Sequence, residues 1–115
     1  MFRSRSLLDL AHRLHSCANC GAYSVDGLEP AHSNLPEHGK GVGLKAHDCF
    51  HAALCPSCHR WLDNQGGHRH DPSGLYEPTK EGKRAMFTRA MHITILDYHE
   101  RGWLQVNNAK AKAAA

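Results

Sequence analysis

Five cysteines and eleven histidines in a chain of 115 residues are the side chains with most chemistry to offer. Four of the cysteines form two Cys-x2-Cys pairs, Cys17 with Cys20 and Cys55 with Cys58, and Cys49 is left over. In such a pair the short turn points both thiolates at one centre. Two pairs complete the tetrahedral sulfur shell that zinc prefers, with bonds of about 2.3 Å. Gly21, directly after Cys20, suits the tight turn. Pairing as disulfides would need an oxidising compartment and would still leave an odd thiol. Structural zinc on Cys17, Cys20, Cys55 and Cys58 is therefore the expected state, with Cys49 a bystander or a buried apolar thiol.

If the two pairs share one ion, the residues beside them become the next candidates. His59 follows Cys58, and Asp63 lies four residues further on, one helical turn along the same face. An imidazole nitrogen and a carboxylate oxygen so placed accept Mg²⁺, Mn²⁺, Ni²⁺ or Zn²⁺. His32, carried back toward the cysteines by the turn after Pro30, is a third candidate, and Asp48 is a fourth oxygen or hydrogen-bonding group.

These residues need elements to position them. Apolar residues at 7, 8, 10, 11 and 14 predict a short helix over 6–15, capped by Ser4 or Ser6, leading into the first cysteine pair. A brief strand ends at His32, and 33–44, rich in Gly, Pro and Asn, reads as a loop. Residues 49–54 form a strand or turn running into the second pair, and 60–63 continue with helical character. Met86, Phe87, Ala90, Met91, Thr94, Ile95 and Tyr98 follow helical spacing, so the longest helix is expected between Thr79 and Arg101, stopped by Gly102. Residues 103–106 add a strand or cover the core. The expected domain is thus a single α+β unit over residues 1–108, with 109–115 a disordered low-complexity tail.

Composition narrows the classes. With 41% hydrophobic and 7% aromatic residues the apolar core is thin, and a structural zinc supplies what it lacks. No apolar run approaches the roughly 18 residues of a bilayer span. Residues 1–14 carry arginines but no long apolar stretch with a cleavage site. A soluble, cytoplasmic protein without membrane partners is the expectation. A net charge of +3 permits a polyanionic partner without requiring one. Lys40 and Lys45 in a glycine-rich loop that lacks the phosphate-loop order, together with Arg60, are candidates for sequence-blind contacts to a nucleic-acid backbone.

Cys17-x2-Cys20-Gly21, Ala31-His32-Ser-Asn, Gly39-Lys-Gly-Val-Gly-Leu-Lys45, Asp48 and Cys55-Pro-Ser-Cys-His-Arg-Trp-Leu-Asp63 together resemble a small family of phage and prophage nucleases of the HNH, or His-Me finger, type. A related group is the RecA-dependent phage recombination-enhancement nuclease. The resemblance spans Cys17 to about Asn64; over 85–106 it is one of character only. It implies a small zinc-stabilised HNH-like ββα-metal domain with flanking helices. It also implies a metal-dependent DNA endonuclease or nickase in phage recombination or DNA processing, working in the cytoplasm of a bacterial host with DNA, and with a host recombinase filament as a further partner. His32 and His59 match the family's strand and helix histidines. Around them His32, Asp48, His59 and Asp63 are the implied catalytic set, His32, His59 and Asp63 being the candidate ligands of a catalytic Mg²⁺ or Mn²⁺, with Zn²⁺ or Ni²⁺ also accepted.

Two departures from the family stand out. Its Asp-His or His-His pair is here Ala31-His32, which leaves His32 as either base or ligand, with His38, His47 and His51 as substitutes for the other task. Phe50 occupies the place of the middle asparagine, so another group must orient the base. The rival expectations are a non-catalytic zinc module that binds DNA and a protein-interaction adaptor whose zinc only stabilises it.

Overall fold

The computed structural model describes residues 1–63 and 69–104. Its elements run α1 (Arg5–Asp9), a 3-10 turn (Ala11–Arg13), β1 (Glu29–His32), a second 3-10 turn (Pro36–His38), β2 (His51–Leu54), α2 (Pro56–Leu62) and α3 (Lys80–Glu100). The small α+β architecture expected from the sequence is present. The tail 109–115 lies outside the described residues, as do 105 and 106 of the proposed terminal strand; 103–104 are not in a strand.

β1 and β2 form a two-stranded antiparallel sheet in which Glu29 pairs with Leu54, Pro30 with Ala53, Ala31 with Ala52 and His32 with His51. A hairpin this small is marginal alone, and its stability comes from what covers it. All four residues of β2 are buried, and its free edge is satisfied from two sides. The Ala53 N–H donates to Thr94 Oγ1 at 2.9 Å, and the Ala53 carbonyl accepts the Ala18 N–H at 3.1 Å. Thr94 in turn donates back to the Ala90 carbonyl at 2.8 Å, so α3 caps the sheet edge through one hydroxyl.

The core is one cluster that includes Leu14, Leu28, Leu54, Trp61, Met86, Phe87 and Tyr98, with alanines at 31, 52, 53 and 90 where β1, β2 and α3 crowd together. Of the stripe expected on α3, Met86, Phe87, Ala90, Thr94 and Tyr98 are buried. Ile95 is not; it is 47% exposed, on the side of the helix away from Met86 and Ala90.

Three expectations shift in detail. The first helix is shorter than 6–15 and closes as a 3-10 turn, with Ser4 as its cap, the Oγ accepting the Leu7 N–H at 3.2 Å. α2 begins at Pro56 rather than 60, because proline is tolerated in the first turn, where its missing N–H has no partner to lose. The expected loop 33–44 contains the turn Pro36–His38. Gly27 fixes the approach to β1. Its φ is +89°, and a Cβ there would sit 2.0 Å from the His12 carbonyl oxygen, so no other residue fits without moving the backbone.

Candidate functional site

The sulfur cluster comes first because it ties the elements together. The ligand atoms of Cys17, Cys20, Cys55 and Cys58 all lie within 4.8 Å of one another, and Cys20 Sγ is 3.8 Å from Cys55 Sγ. Four sulfurs at about 2.3 Å from a tetrahedral zinc are about 3.8 Å apart, so the donor set fits that ion. Its electrostatics ask for a cation as well. Cys17 Sγ accepts the N–H groups of Asn19 at 3.4 Å and Cys55 at 3.3 Å. The Cys58 thiol and these amides pull it down to about 4. The Cys17 interaction and burial push Cys58 up, and burial above all pushes Cys55 up. One thiolate is accommodated by the protein alone; Cys55 and Cys58 need a positive ion to ionise. Cys49 stays outside the cluster.

Asn19 supports the cluster from behind. Its Nδ2 donates to Cys58 Sγ at 3.3 Å and to Asp71 Oδ1 at 2.7 Å, while its buried Oδ1 has no partner among the described residues. One amide group thus serves both the sulfur cluster and the Asp71 carboxylate. Asp71 is itself held by the N–H groups of Ser73 and Tyr76. Such supports orient ligands. Asn19→Ala or Asp71→Ala is expected to weaken zinc binding about 10–100-fold, read by competition with a chromophoric chelator; unchanged affinity in both would contradict this role.

The histidine and carboxylate candidates form two pairs. In one, the His32 ring at the end of β1 donates Nε2–H to Asp48 Oδ1 at 2.8 Å. Asp48 is buried and further held by Arg3 Nη1 at 3.0 Å and the Ser4 N–H at 2.7 Å. Burial alone would raise its carboxyl, but hydrogen bonds from His32, Ser4 and Arg3 outweigh it and hold the group at about 2. It is a fixed anion at neutral pH.

In the other pair, His59 on α2 faces carboxylates with both nitrogens. Nδ1 meets Glu29 Oε1 at 2.8 Å, and Nε2 meets Asp63 Oδ2 at 3.2 Å. Asp63 first, and then Glu29, raise His59 above the usual histidine range. Asn34 Nδ2 donates to the second oxygen of Asp63 at 2.9 Å. Burial opposes ionisation of Asp63, yet the bonds from His59 and Asn34 keep its carboxyl below the ordinary value.

Among the described residues the four cysteines are the only group of three or more potential ligands drawn together; His32, His59 and Asp63 are not assembled around one position. The substitutes for His32 have other engagements. His38 Nδ1 accepts from the buried Ser33 hydroxyl at 2.6 Å, and His47 Nδ1 accepts the Phe2 N–H at 2.9 Å. His51 is buried between the Asp48 carbonyl, to which Nδ1–H donates at 2.7 Å, and the Tyr98 hydroxyl, which donates to Nε2 at 3.0 Å. Burial lowers His51, keeping it neutral. Lys45 and Arg60 are exposed, and Lys40 is half-buried beside Asp63, whose carboxyl it helps to lower.

Glu29, Asn34, Arg3 and Asn19 escaped the sequence reading. Only Glu29 left a signal there: two residues before Ala31 in a strand, it must share Ala31's face. Trp61 and Trp103 both pack against the core. The Trp61 Nε1–H donates to the Arg69 carbonyl at 2.7 Å, and Trp103 has Arg13 over its ring at 4.1 Å. Comparisons with family models, with curated proteins and with solved structures find no match for this chain.

Proposed function

We propose that the chain is a metal-dependent DNA endonuclease or nickase of the HNH type, held together by a structural zinc and acting in phage recombination or DNA processing. The observation that carries this reading is the order β1–β2–α2, with an Asp48-oriented His32 at the end of the first strand and the His59–Asp63 pair on the helix. The resemblance in the sequence and this arrangement support each other.

In this reading His32 is the base. Its Nε2–H is committed to Asp48, which leaves Nδ1 with the lone pair to take a proton from the attacking water. Asp48, ionised throughout, stabilises the imidazolium that forms and does the orienting work that Phe50 cannot. With Arg3, Ser4 and His32 on its oxygens, Asp48 has no free role as a ligand. His59 and Asp63 would hold the divalent ion, Nε2 and Oδ2 being 3.2 Å apart and so close enough to share one small cation. Glu29 fixes the ring by accepting Nδ1–H, which presents Nε2 as the donor. A bound Mg²⁺ or Mn²⁺, or Zn²⁺ or Ni²⁺, supplies Lewis acidity to the scissile phosphate and its leaving oxygen. Since Nε2 must shed a proton first, metal binding weakens as pH falls.

The test is conversion of supercoiled plasmid to nicked or linear forms with Mg²⁺ or Mn²⁺, alone and with recombinase filaments. His32→Ala is expected to lower the rate about 10²–10⁴-fold, the usual contribution of a positioned base, with zinc content unchanged. DNA binding without cleavage under every metal, filaments included, would establish the non-catalytic module instead. Absence of both would establish the adaptor.

A further inference from the structure

A groove of about 850 Å³ lies between the 34–40 segment and the N-terminal half of α3, with Asp63 and Asn34 at its edge. Lys80, Lys83 and Arg84 stand along one wall at the spacing that puts residues on one helix face, and Lys40 stands on the other; Leu62 and Phe87 line the same groove. Four cations against Asp63, Glu81 and the Glu37 that pairs with Arg84 still leave the groove with a net positive charge. The walls are tied together, because Arg84 pairs with Glu37 of the second 3-10 turn. Lys83 packs over the Trp61 ring at 5.2 Å. The groove reaches the His59–Asp63 pair, because Asp63 itself lines it.

We infer that this groove seats the sugar-phosphate backbone of the substrate strand on one side of the phosphate to be cleaved, with Lys40 and Lys80 as its principal phosphate contacts. The inference rests on the nuclease reading and adds to it where the strand runs. Cations on both walls and apolar side chains between them suit a charged backbone whose sugars present apolar faces. Cations contacting phosphates give affinity without reading bases. The strand would leave the groove at Asp63, which brings the next phosphate to the proposed metal pair.

The experiment measures anisotropy of a fluorescein-labelled 20-nucleotide DNA, single-stranded and as a duplex, against salt. The zinc-loaded full chain is used without added Mg²⁺ or Mn²⁺. Each lost phosphate contact should reduce the salt slope by about 0.7 for a single strand and about 0.9 for a duplex. Lys40→Gln combined with Lys80→Gln is therefore expected to lower it by about 1.4 or about 1.8 and to weaken binding at least about tenfold. Arg5→Gln with Arg89→Gln removes the same charge from exposed positions outside the groove and should leave the slope unchanged. Equal losses in the two double variants, no change in the groove variant, or no binding by the unaltered chain would each overturn the inference. Lysine-dependent binding without cleavage would uphold the groove while the nuclease reading fails; cleavage with lysine-independent binding would do the reverse.

Discussion

A chain stripped of metal by a chelator is expected to lose its cooperative melting transition and to regain it with one equivalent of zinc. The sulfur cluster joins the segment before β1 to the start of α2, and the sheet between them has only eight residues in strands. A structural zinc of this kind contributes about 10 kcal/mol or more, comparable with the whole net stability of a small domain. The loss should therefore be complete rather than a modest lowering of Tm. Cys58→Ala, which removes a buried ligand, should reproduce it, and Cys49→Ser should leave both zinc content and melting as they were. Circular dichroism with metal analysis reads all three. A metal-free chain that still melts cooperatively at the same temperature would refute the clasp, and with it the architecture on which the histidine pairs depend.

The second large effect belongs to His59. Truncation to Ala removes one of the two proposed ligands at the open position, and a divalent ion at a scissile phosphate is worth several kcal/mol. Plasmid nicking should fall by about 10³-fold or more, with the four-cysteine zinc and the affinity for DNA both retained. Because His59 and Cys58 are adjacent, zinc content must be measured in the same sample. Cleavage surviving in zinc-loaded His59→Ala would reject the metal assignment, whereas loss of zinc would show instead that His59 serves the sulfur cluster.

What was legible in the sequence followed from chemistry that is local or strictly spaced. The paired cysteines announced their cluster because a two-residue spacer leaves little freedom in where the thiolates point. His59 and Asp63 announced their contact because a helix brings residues four apart together. The burial of Met86, Phe87, Ala90, Thr94 and Tyr98 was legible from period alone, and Ile95 was misplaced because apolarity along a helix does not say where the covering elements end. The start of α2 was hidden by its double use: the same residues make the second cysteine turn and the first helical turn.

Contacts spanning long stretches of chain left no local trace. Nothing near Arg3 indicates that its guanidinium reaches Asp48, and nothing in the first cysteine turn indicates that Asn19 leans on Asp71. That Asp48 bonds His32 was not legible either, since a metal ligand and a hydrogen-bonding carboxylate look alike in one dimension. Nothing in the sequence around Lys80, Lys83 and Arg84 indicates that the 34–40 segment faces them across a groove.

The segment Phe2–Ser4 lies against residues 45–48, with the Phe2 carbonyl accepting the Asp48 N–H at 3.0 Å and the Ser4 N–H closing on the Asp48 carboxylate. The first few residues are consequently part of the support that holds Asp48, and through it His32. An affinity handle or fluorophore attached directly ahead of Met1 would therefore crowd the hydrogen bonds that hold Asp48 against His32.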